Sequence, residues 1–376
     1  MTGAQTADAV IVGGGLHGLS SAIHLAKAGV EVTLLEKDRI GRHASSANAG
    51  GVRRLGRALP EIPIAVAAIE LWHDIESLVD ETCGFCESVQ IKVAEDAEGL
   101  NALQIRSQTV CDYGFAHEEM IDADTLHSLL PEVAKHCVGG LIVKGDGHAD
   151  PFATVRAFHR KALSLGVRII EGAPVTQITY LNGKWSVKAG GLAFNTPHLI
   201  NAAGAWGDQI SGMMGDHVPI QAQALMLMIT ERIKPFLSAV VGAEGRTLSF
   251  KQLDNGTVLI GGGYQGRAEL EHGTTTLDMR QLAANATAAQ AIFPLMNQTR
   301  ITRAWAGIEG VTPDRMPVIG HAGQSGGFHL FGFSAHGFAL APICGRVIAE
   351  LILSQQTALP IQAFAVDRFQ RVAEVT

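Results

Sequence analysis

A glycine-rich stretch at residues 8–36 limits what this chain can fold into more than any other segment. Residues 9–12, Ala-Val-Ile-Val, form an apolar run typical of a parallel strand buried on both faces. Gly13, Gly15 and Gly18 follow with the G-x-G-x-x-G spacing. The first glycine allows a tight turn, the second lets backbone amides approach a pyrophosphate, and the third lets a helix pack closely on the strand. The pattern predicts a dinucleotide-binding unit whose phosphates lie at a helix N-terminus.

Glu36 ends the second predicted strand of this unit, which covers residues 30–35. A carboxylate at that position accepts hydrogen bonds from both hydroxyls of an unphosphorylated ribose and repels a 2'-phosphate. FAD and NAD therefore fit the motif, and NADP does not. The order of strand, turn, helix, strand and acid makes this prediction stronger than the glycine spacing alone.

Composition limits the class of protein and its partners. The 376 residues suffice for two domains with a sizeable shared core. A net charge of -7 without any basic block argues against nucleic acid as a partner. The chain enters its first strand within about eight residues, and no run approaches the roughly 20 apolar residues that span a bilayer. We expect a cytoplasmic protein without a transmembrane segment, with peripheral membrane docking left open.

The five cysteines do not suggest a metal site. Cys83 and Cys86 form a single C-x-x-C, and no second pair exists to complete a zinc site. An odd number of cysteines without framework spacing suits a reducing compartment. We therefore expect ordinary thiols and no metal.

Helical and extended patterns surround a strand-rich middle of the chain. Asn182-Gly183 predicts a hairpin, helices are predicted at 62–79 and from about 337 to 353, and strands dominate 216–300. The pattern predicts an α/β chain, α+β overall, in which a discontinuous Rossmann-like domain holds an inserted antiparallel-sheet substrate domain. The predicted boundaries are 1–82, 138–215 and 300–376 for the nucleotide domain, and 83–137 and 216–299 for the substrate domain.

Several short motifs follow the glycine unit in a fixed order. They are Ser-Ser-Ala-Asn-Ala-Gly-Gly at 45–51, Asn-Ala-Ala-Gly-Ala-Trp at 201–206, Trp-Ala-Gly at 305–307, Thr-Pro-Asp at 312–314 with Pro-Val-Ile-Gly at 317–320, and Gly-Phe-Ser-Ala-His-Gly-Phe at 332–338. Together they resemble the D-amino-acid oxidase-like FAD enzymes, which include glycine oxidase, sarcosine oxidases and the FAD subunits of proline, hydroxyproline and opine dehydrogenases. The resemblance covers essentially the whole chain. It implies FAD binding and oxidation of a C–N bond beside a carboxylate.

The same motifs supply the predicted FAD contacts. The helix that starts near Gly337 can direct its N-terminal amides at the negative charge that develops on a reduced flavin. The predicted cofactor-binding set is Gly13, Gly15, Leu16, His17, Gly18, Glu36, Lys37, Ser45, Ser46, Asn48, Ala49, Gly50, Gly51, Val175, Ala202, Ala203, Gly204, Trp206, Gly307, Gly332, Phe333, Ser334, His336, Gly337 and Phe338.

Five side chains are candidates for the chemistry. By resemblance, Arg53 matches an arginine close to the flavin in sarcosine oxidases. Lys251 either faces the active site, where a lysine would help electron transfer to oxygen, or lies on the surface. His336 either lines the pocket or caps the last helix. Tyr264 is a candidate substrate contact, and Glu309 is the fifth.

Glu309 marks a departure from the family pattern. It stands where glycine oxidase-like members have a carboxylate-binding arginine, and it could instead favour a cationic amine. Gly307 stands where monomeric sarcosine oxidases have a flavin-linked cysteine, which implies non-covalent FAD, and Ala339 stands where they have a lysine for the carboxylate. The substrate carboxylate then needs another partner, for which the candidates are Arg54, Arg57 and Arg267.

The expected function is FAD-dependent oxidative deamination of an amino or imino acid, such as sarcosine, a proline-type compound, an opine or an iminodiacetate-like compound. A hydride passes to the flavin, the imine hydrolyses, and O2 reoxidises the flavin to give H2O2. One alternative is the FAD subunit of a hetero-oligomeric dehydrogenase that passes electrons to a partner or a quinone. Another is a non-catalytic flavin- or NAD-binding scaffold. Homo- and hetero-oligomers both remain open.

Overall fold

The computed structural model describes residues 4–369 of the chain. Its α-helices are α1 Leu16–Lys27, α2 Ala44–Ala47, α3 Ile62–His73, α4 Ile75–Val79, α5 Ala97–Asp112, α6 Ala123–Leu129, α7 Pro151–Ser164, α8 Gly207–Met214, α9 Met279–Ile292 and α10 Gly337–Ser354. Its strands are β1 Gln5–Thr6, β2 Ala9–Val12, β3 Val32–Leu35, β4 Gly51–Val52, β5 Cys86–Ala94, β6 Glu119–Asp122, β7 Gly139–His148, β8 Arg168–Ile170, β9 Val175–Leu181, β10 Lys184–Ala189, β11 Leu192–Thr196, β12 His198–Asn201, β13 Gln221–Thr230, β14 Val240–Ala243, β15 Ser249–Gln252, β16 Val258–Gly261, β17 Gln265–Glu269, β18 Thr274–Thr276, β19 Ile301–Val311, β20 Val318–His321 and β21 Gly327–Phe331.

The predicted nucleotide-binding unit is confirmed as the centre of a six-stranded sheet. The strand order is β20-β21-β12-β2-β3-β8, and all neighbours are parallel except β20, which pairs antiparallel with β21. β2 is buried along its whole length, as its apolar run requires. It leads through the glycine turn into α1, so that the carboxyl ends of the strands form one edge of the nucleotide domain.

Helix α10 closes the nucleotide domain against α1 and α3. A Cβ at Gly345 would lie 2.2 Å from the Ser20 hydroxyl oxygen, so this glycine permits close contact of α10 with α1. Trp72 of α3 donates its indole N–H to the Ala339 carbonyl oxygen at 2.8 Å. With a mean hydropathy of 1.6, α10 is long and apolar enough to span a membrane, but 72% of it is buried in the protein, as in the core helix of a globular domain.

One hairpin and one helix test the local predictions directly. The hairpin at Asn182-Gly183 is confirmed, because both residues have positive φ, 53° and 76°, and join β9 to β10. The single helix predicted over 62–79 is wrong at its centre. Asp74, with φ -114° and ψ 28°, interrupts it and separates α3 from α4. The apolar spacing continues across that break, which is why periodicity did not reveal it.

The second body is a large mixed sheet with the order β18-β17-β13-β16-β15-β14-β5-β7-β4, to which β19 and β6 are attached through β13 and β7. Its core lies under α9, where the rings of Phe250 and Phe293 stack with centroids 4.6 Å apart. The sheet includes the predicted substrate-domain strands. It also takes up β4, β7 and β19, which the predicted boundaries assign to the nucleotide domain.

Candidate active site

A cavity of about 870 Å³ lies between the nucleotide domain and the large sheet. Its lining combines the glycine turn after β2, the loop around α2, the end of β12 and the start of α10 with strands β5, β13, β14 and β19. The cavity therefore joins the predicted cofactor motifs to side chains of the second body. This is the position expected for an active site between domains.

The nucleotide end of the cavity has the geometry that the glycine motif predicted. Gly13 has φ 113°, and a Cβ at Gly18 would lie 2.0 Å from the Gly13 carbonyl oxygen. Glu36 is 7% exposed and accepts hydrogen bonds from the amides of Gly14 and Asp38, both at 2.7 Å. Burial raises the pKa of Glu36, although these two hydrogen bonds oppose the effect. The carboxylate is thus fixed at the strand end, where a ribose would lie.

The loop around α2 is held by its own polar side chains. Ser45 accepts the Leu16 amide on its hydroxyl oxygen at 2.9 Å, which ties the loop to the start of α1. The Asn48 amide group donates to the carbonyl oxygens of Ala44 and Ser45, and its oxygen accepts from Gly50. These hydroxyl and amide groups shape the loop, so that its backbone and small side chains line the cavity.

Most of the remaining predicted cofactor contacts also line the cavity. The Lys37 ammonium lies 3.7 Å from the centre of a Trp206 ring, and the two side chains together form one wall. The cavity lining includes the predicted residues Gly13, Gly15, Leu16, His17, Glu36, Lys37, Ser45, Asn48, Ala49, Gly51, Val175, Ala202, Ala203, Gly204, Trp206, Gly307, Gly332, Phe333, His336, Gly337 and Phe338.

Four predicted cofactor residues lie outside the lining and support it. Gly18 gives α1 its close approach to the glycine turn. Gly50, with φ 69°, has no space for a Cβ, which would lie 2.1 Å from the Ala149 carbonyl oxygen. Ser334, buried with φ 51°, accepts the Thr312 amide and donates to the Gly332 carbonyl oxygen. Ser46 belongs to α2. Their cofactor role stays a prediction.

The donor set and the small residues fit FAD. Helices α1 and α10 both begin at the cavity, at caps Gly15 and His336 that make no side-chain capping hydrogen bond, so their first amides can bind oxygen atoms of a ligand. A Cβ at Gly307 would lie 2.6 Å from the Ala47 Cβ, which shows how closely β19 approaches the α2 loop.

Two arginines form a cationic end of the cavity. Arg57 is 2% exposed, and donates from Nε to the Arg53 carbonyl oxygen at 3.0 Å and from Nη1 to the His336 carbonyl oxygen at 3.2 Å. Burial, and the nearby charge of Arg53, lower the pKa of Arg57 to about 10. The Arg53 guanidinium donates to the Leu55 carbonyl oxygen. Both side chains remain charged at neutral pH and are bonded to carbonyl groups rather than to carboxylates.

A network behind the cavity fixes the backbone that carries these arginines. Asp146 accepts hydrogen bonds from the Arg54 amide and Nε, both at 2.8 Å, and from the Leu55 amide. Glu118 accepts the Gly56 amide at 2.8 Å. Arg54, one of the three predicted partners of the substrate carboxylate, is therefore already paired with Asp146. Arg267, another of them, is exposed on β17 outside the cavity lining, whereas Arg57 lines it.

His336 occupies the N-cap position of α10, without a side-chain capping hydrogen bond, and also lines the cavity. Its Nδ1 lies 2.9 and 3.2 Å from the two carboxylate oxygens of Glu61, which is fully buried. Burial lowers the pKa of His336 to about 4, so the ring is neutral and donates from Nδ1 to the carboxylate. Glu61 was not predicted, because no motif connects it to a residue 275 positions later.

Glu309 lies on β19 and lines the cavity. One of its oxygens accepts the Ala335 amide at 2.7 Å. Burial raises the pKa of Glu309 to about 7, although the hydrogen bond from Ala335 and the charge of Arg315 both lower it. The carboxyl group therefore titrates near neutral pH.

The other two predicted catalytic residues lie outside the cavity lining. Lys251 is 5% exposed on β15, two residues beyond Ser249, which does line the cavity. Burial lowers the pKa of Lys251 to about 8, although the charges of Asp150 and Cys86 oppose the effect. Tyr264 packs against the core of the large sheet, between cavity residues Gly263 and Gln265. A direct role at the site for either residue stays a prediction.

A Rossmann-type sheet that shares one cavity with a second, largely antiparallel sheet is the arrangement of a two-domain flavin-dependent oxidoreductase. The family model DAO, FAD dependent oxidoreductase, matches residues 8–351, and the chain belongs to this family. Its cofactor is therefore FAD, as the motifs predicted.

Relatives and solved structures agree with that family. The chain is 27% identical to sarcosine oxidase subunit beta of Rhizobium meliloti, over 97% of this chain and 88% of that protein. It is 26% identical to mitochondrial sarcosine dehydrogenase of Mus musculus over 97% of this chain, but spans only 42% of that longer protein. The structure of L-proline dehydrogenase from P.horikoshii superposes with a TM-score of 0.90 at 26% identity, covering 98% of this chain and 99% of the other.

Proposed function

We propose that this enzyme oxidises the C–N bond of a small amino or imino acid, with a secondary amine as the favoured substrate. The observation that supports the proposal best is the pair of a partly buried Arg53 and a buried Arg57, whose guanidinium groups reach the FAD cavity and contact no carboxylate among residues 4–369. Arginine binds carboxylates through paired N–H donors. The pair therefore fits the carboxylate of an amino acid.

The chain's own residues would orient the substrate for this reaction. Arg53 and Arg57 hold the carboxylate, which turns the α carbon and its nitrogen towards the centre of the cavity. The α10 N-terminus at Gly337 stabilises negative charge beside it. Bound FAD supplies the acceptor for a hydride.

The named relatives support an amine substrate. Sarcosine names two of them, and dimethylglycine dehydrogenase of Rattus norvegicus is 26% identical over 92% of this chain. All three names denote small N-methylated amino acids. We propose the same chemical class for this chain and extend it to cyclic imino acids, because the proline dehydrogenase structure covers nearly the whole chain.

An anaerobic screen of amines against the visible absorbance of the bound flavin tests the proposal. We expect bleaching by N-methylated or cyclic amino acids, and weaker bleaching when Arg57 is replaced by methionine. Arg54→Met is not a suitable control because it breaks the Asp146 pair, so Arg267→Met, an exposed arginine outside the cavity, is used instead. A flavin that no amino or imino acid bleaches would refute the proposal.

The electron acceptor divides this proposal into two forms. Reoxidation by O2 would make the chain an oxidase. A role as the FAD subunit of a larger dehydrogenase is supported by its similarity to a sarcosine oxidase subunit and by its short span of sarcosine dehydrogenase. H2O2 formation by the isolated chain in step with substrate loss supports the oxidase, and slow reoxidation with fast bleaching supports the subunit. A cytoplasmic location remains part of the proposal.

A further inference from the structure

Glu309 differs from Glu36, the other carboxylate of the cavity lining, whose two oxygens both accept backbone amides. One oxygen of Glu309 accepts the Ala335 amide at 2.7 Å, and among residues 4–369 no hydrogen-bond partner is found for the other. Its accessible surface faces the cavity. An ionised carboxylate that is partly removed from water costs free energy unless a cation or several donors satisfy it. Glu309 can therefore bind a ligand that supplies a cation or a hydrogen-bond donor.

Few titratable groups surround this carboxylate. The segments packed against β19 are β13, β17, β18, α2, the turn at 204–206 and residues 332–336. Their titratable side chains are His336, which is paired with Glu61, and Arg267 and Glu269 of β17, which are exposed outside the cavity lining. Arg315 adds a cationic charge at longer range. The charge of Glu309 is therefore set mainly by its burial and by whatever occupies the cavity.

The cavity therefore has two groups of opposite charge, here called its two poles, and both bond the backbone at residues 335 and 336. Arg57 donates to the His336 carbonyl oxygen, and Glu309 accepts the neighbouring Ala335 amide. Neither group contacts the other. A molecule with a carboxylate at one end and an ammonium group next to it matches both poles at once. This is the charge pattern of a zwitterionic amino acid.

We propose that Glu309 binds the ammonium group of the substrate and accepts its proton before oxidation. The inference rests on the proposed function and adds the missing proton acceptor to it. An ammonium nitrogen has no free electron pair, so it cannot form the C=N bond of an imine.

In this step one N–H bond breaks and its electron pair stays on nitrogen. The proton forms an O–H bond on Glu309, and the neutral amine is ready to release hydride from its α carbon. A carboxyl group that titrates near pH 7 suits this transfer, because general bases work best with a pKa close to the working pH. The proton returns to solvent after the product leaves.

The inference also predicts which substrates the enzyme prefers. The cavity should favour zwitterions over N-acylated amino acids, which carry no positive charge. A second carboxylate near the nitrogen would meet Glu309 and be repelled. Iminodiacetate-like compounds should therefore be poor substrates, and N-methylated or cyclic amino acids good ones.

The test compares two ligands of the same shape with the FAD-loaded enzyme. N,N,N-trimethylglycine carries a permanent positive charge and has no N–H, and 3,3-dimethylbutanoate replaces its nitrogen with a neutral carbon. At pH 6 about nine-tenths of a carboxyl group with a pKa near 7 is protonated. Binding of trimethylglycine should ionise Glu309 and release close to one proton, measured by titration calorimetry in buffers of different ionisation enthalpy. The neutral analogue should release none, and neither ligand should release protons at pH 9.

Three variants test whether the released proton comes from Glu309. Glu309→Gln should abolish the proton release, reduce the preference for trimethylglycine about tenfold or more, and slow flavin bleaching by amino acids at neutral pH. Glu309→Asp keeps the charge and should retain part of each property. Glu269→Gln, on β17 and exposed outside the cavity, makes the same charge change and should behave as wild type.

Two results would overturn the assignment. The first is an unchanged proton release or ligand preference in Glu309→Gln. The second, which needs no variant, is equal proton release by wild type with both ligands. A flavin that no amine bleaches would instead refute the proposed function, and the calorimetry on the non-oxidisable ligands would still decide the role of Glu309.

Discussion

The raised pKa of Glu309 makes a prediction about stability that does not depend on any substrate. In the folded protein its pKa is about 7, against an ordinary value of 4.5, because burial penalises the ionised form. Below pH 4.5 the carboxyl group is neutral in both the folded and the unfolded chain, and folding carries no penalty. As the pH rises from 4.5 to 7, the unfolded chain loses its proton first, so the free energy of unfolding falls.

The size of the effect follows from the two pKa values. A difference from 4.5 to about 7 corresponds to about 3 kcal/mol at pH values above 7. Glu309→Gln removes the titration and leaves an oxygen that can still accept the Ala335 amide. As the pH is raised from 4 to 8, the free energy of unfolding of the variant should therefore rise by about 3 kcal/mol relative to that of wild type. The gain in melting temperature would be roughly 6 °C, at about 2 °C per kcal/mol for a large domain.

Asp314, five residues further along the chain, provides a control of opposite sign. Although burial opposes its ionisation, hydrogen bonds from Arg368 and the Met316 amide lower its pKa. Asp314→Asn should therefore be less stable than wild type by a nearly constant amount from pH 4 to pH 8, because a carboxyl group whose pKa lies below 3.8 stays ionised in the folded protein across that range. Thermal unfolding of both variants and wild type from pH 4 to pH 8 measures the comparison. A constant difference between Glu309→Gln and wild type across this range would refute the reasoning.

Three further predictions concern the cofactor and its surroundings. Gly18→Ala puts a Cβ 2.0 Å from the Gly13 carbonyl oxygen and should abolish FAD binding, seen as lost flavin absorbance per protein, whereas Gly212→Ala, in open space, should not. Glu61→Gln weakens the bond to His336 and should lower the free energy of unfolding by roughly 1–3 kcal/mol in urea titrations; unchanged stability would contradict the pair. Acid precipitation should release the flavin into the supernatant, and flavin retained in the pellet would contradict non-covalent binding.

The cofactor side could be predicted from the sequence because its information is local. The glycine turn, the acid at Glu36 and the loop at 45–51 each lie within a few residues, and each residue type has a backbone or charge requirement of its own. The order of these motifs then gave the family. Only the supporting roles of residues such as Ser334, which holds the backbone, needed coordinates.

The substrate-binding part of the cavity depends on contacts between segments that are distant in the sequence, and the spacing of residues does not reveal such contacts. Glu61 and His336 meet through α3 and α10, and Arg57 reaches the cavity because Asp146 and Glu118 fix its loop. None of these pairs has a sequence signature. Arg57 was therefore only one of three equal candidates until the structure tied Arg54 to Asp146.

Tyr264 illustrates a second limit, that of strand alternation. Gly262 and Gly263 have φ of 131° and 119°, so the chain leaves regular extended geometry just before the tyrosine. The side chains on either side of this break no longer follow the alternation of β16, and Tyr264 turns onto the core of the large sheet. Glycines that permit such a break can be recognised in a sequence, but the direction of the next side chain cannot.

Strand β19 explains how such a cavity can change its substrate without changing its cofactor. On one side of Glu309, a Cβ at Gly307 would lie 2.6 Å from the Ala47 Cβ; on the other, a Cβ at Gly310 would lie 2.9 Å from the Ala205 Cα. Both glycines hold the strand against cofactor segments, so the backbone at position 309 is fixed relative to the FAD site. A different side chain there alters the charge of the cavity while the strand stays in position. Substrate charge is then determined by one side chain, and FAD binding by the surrounding backbone.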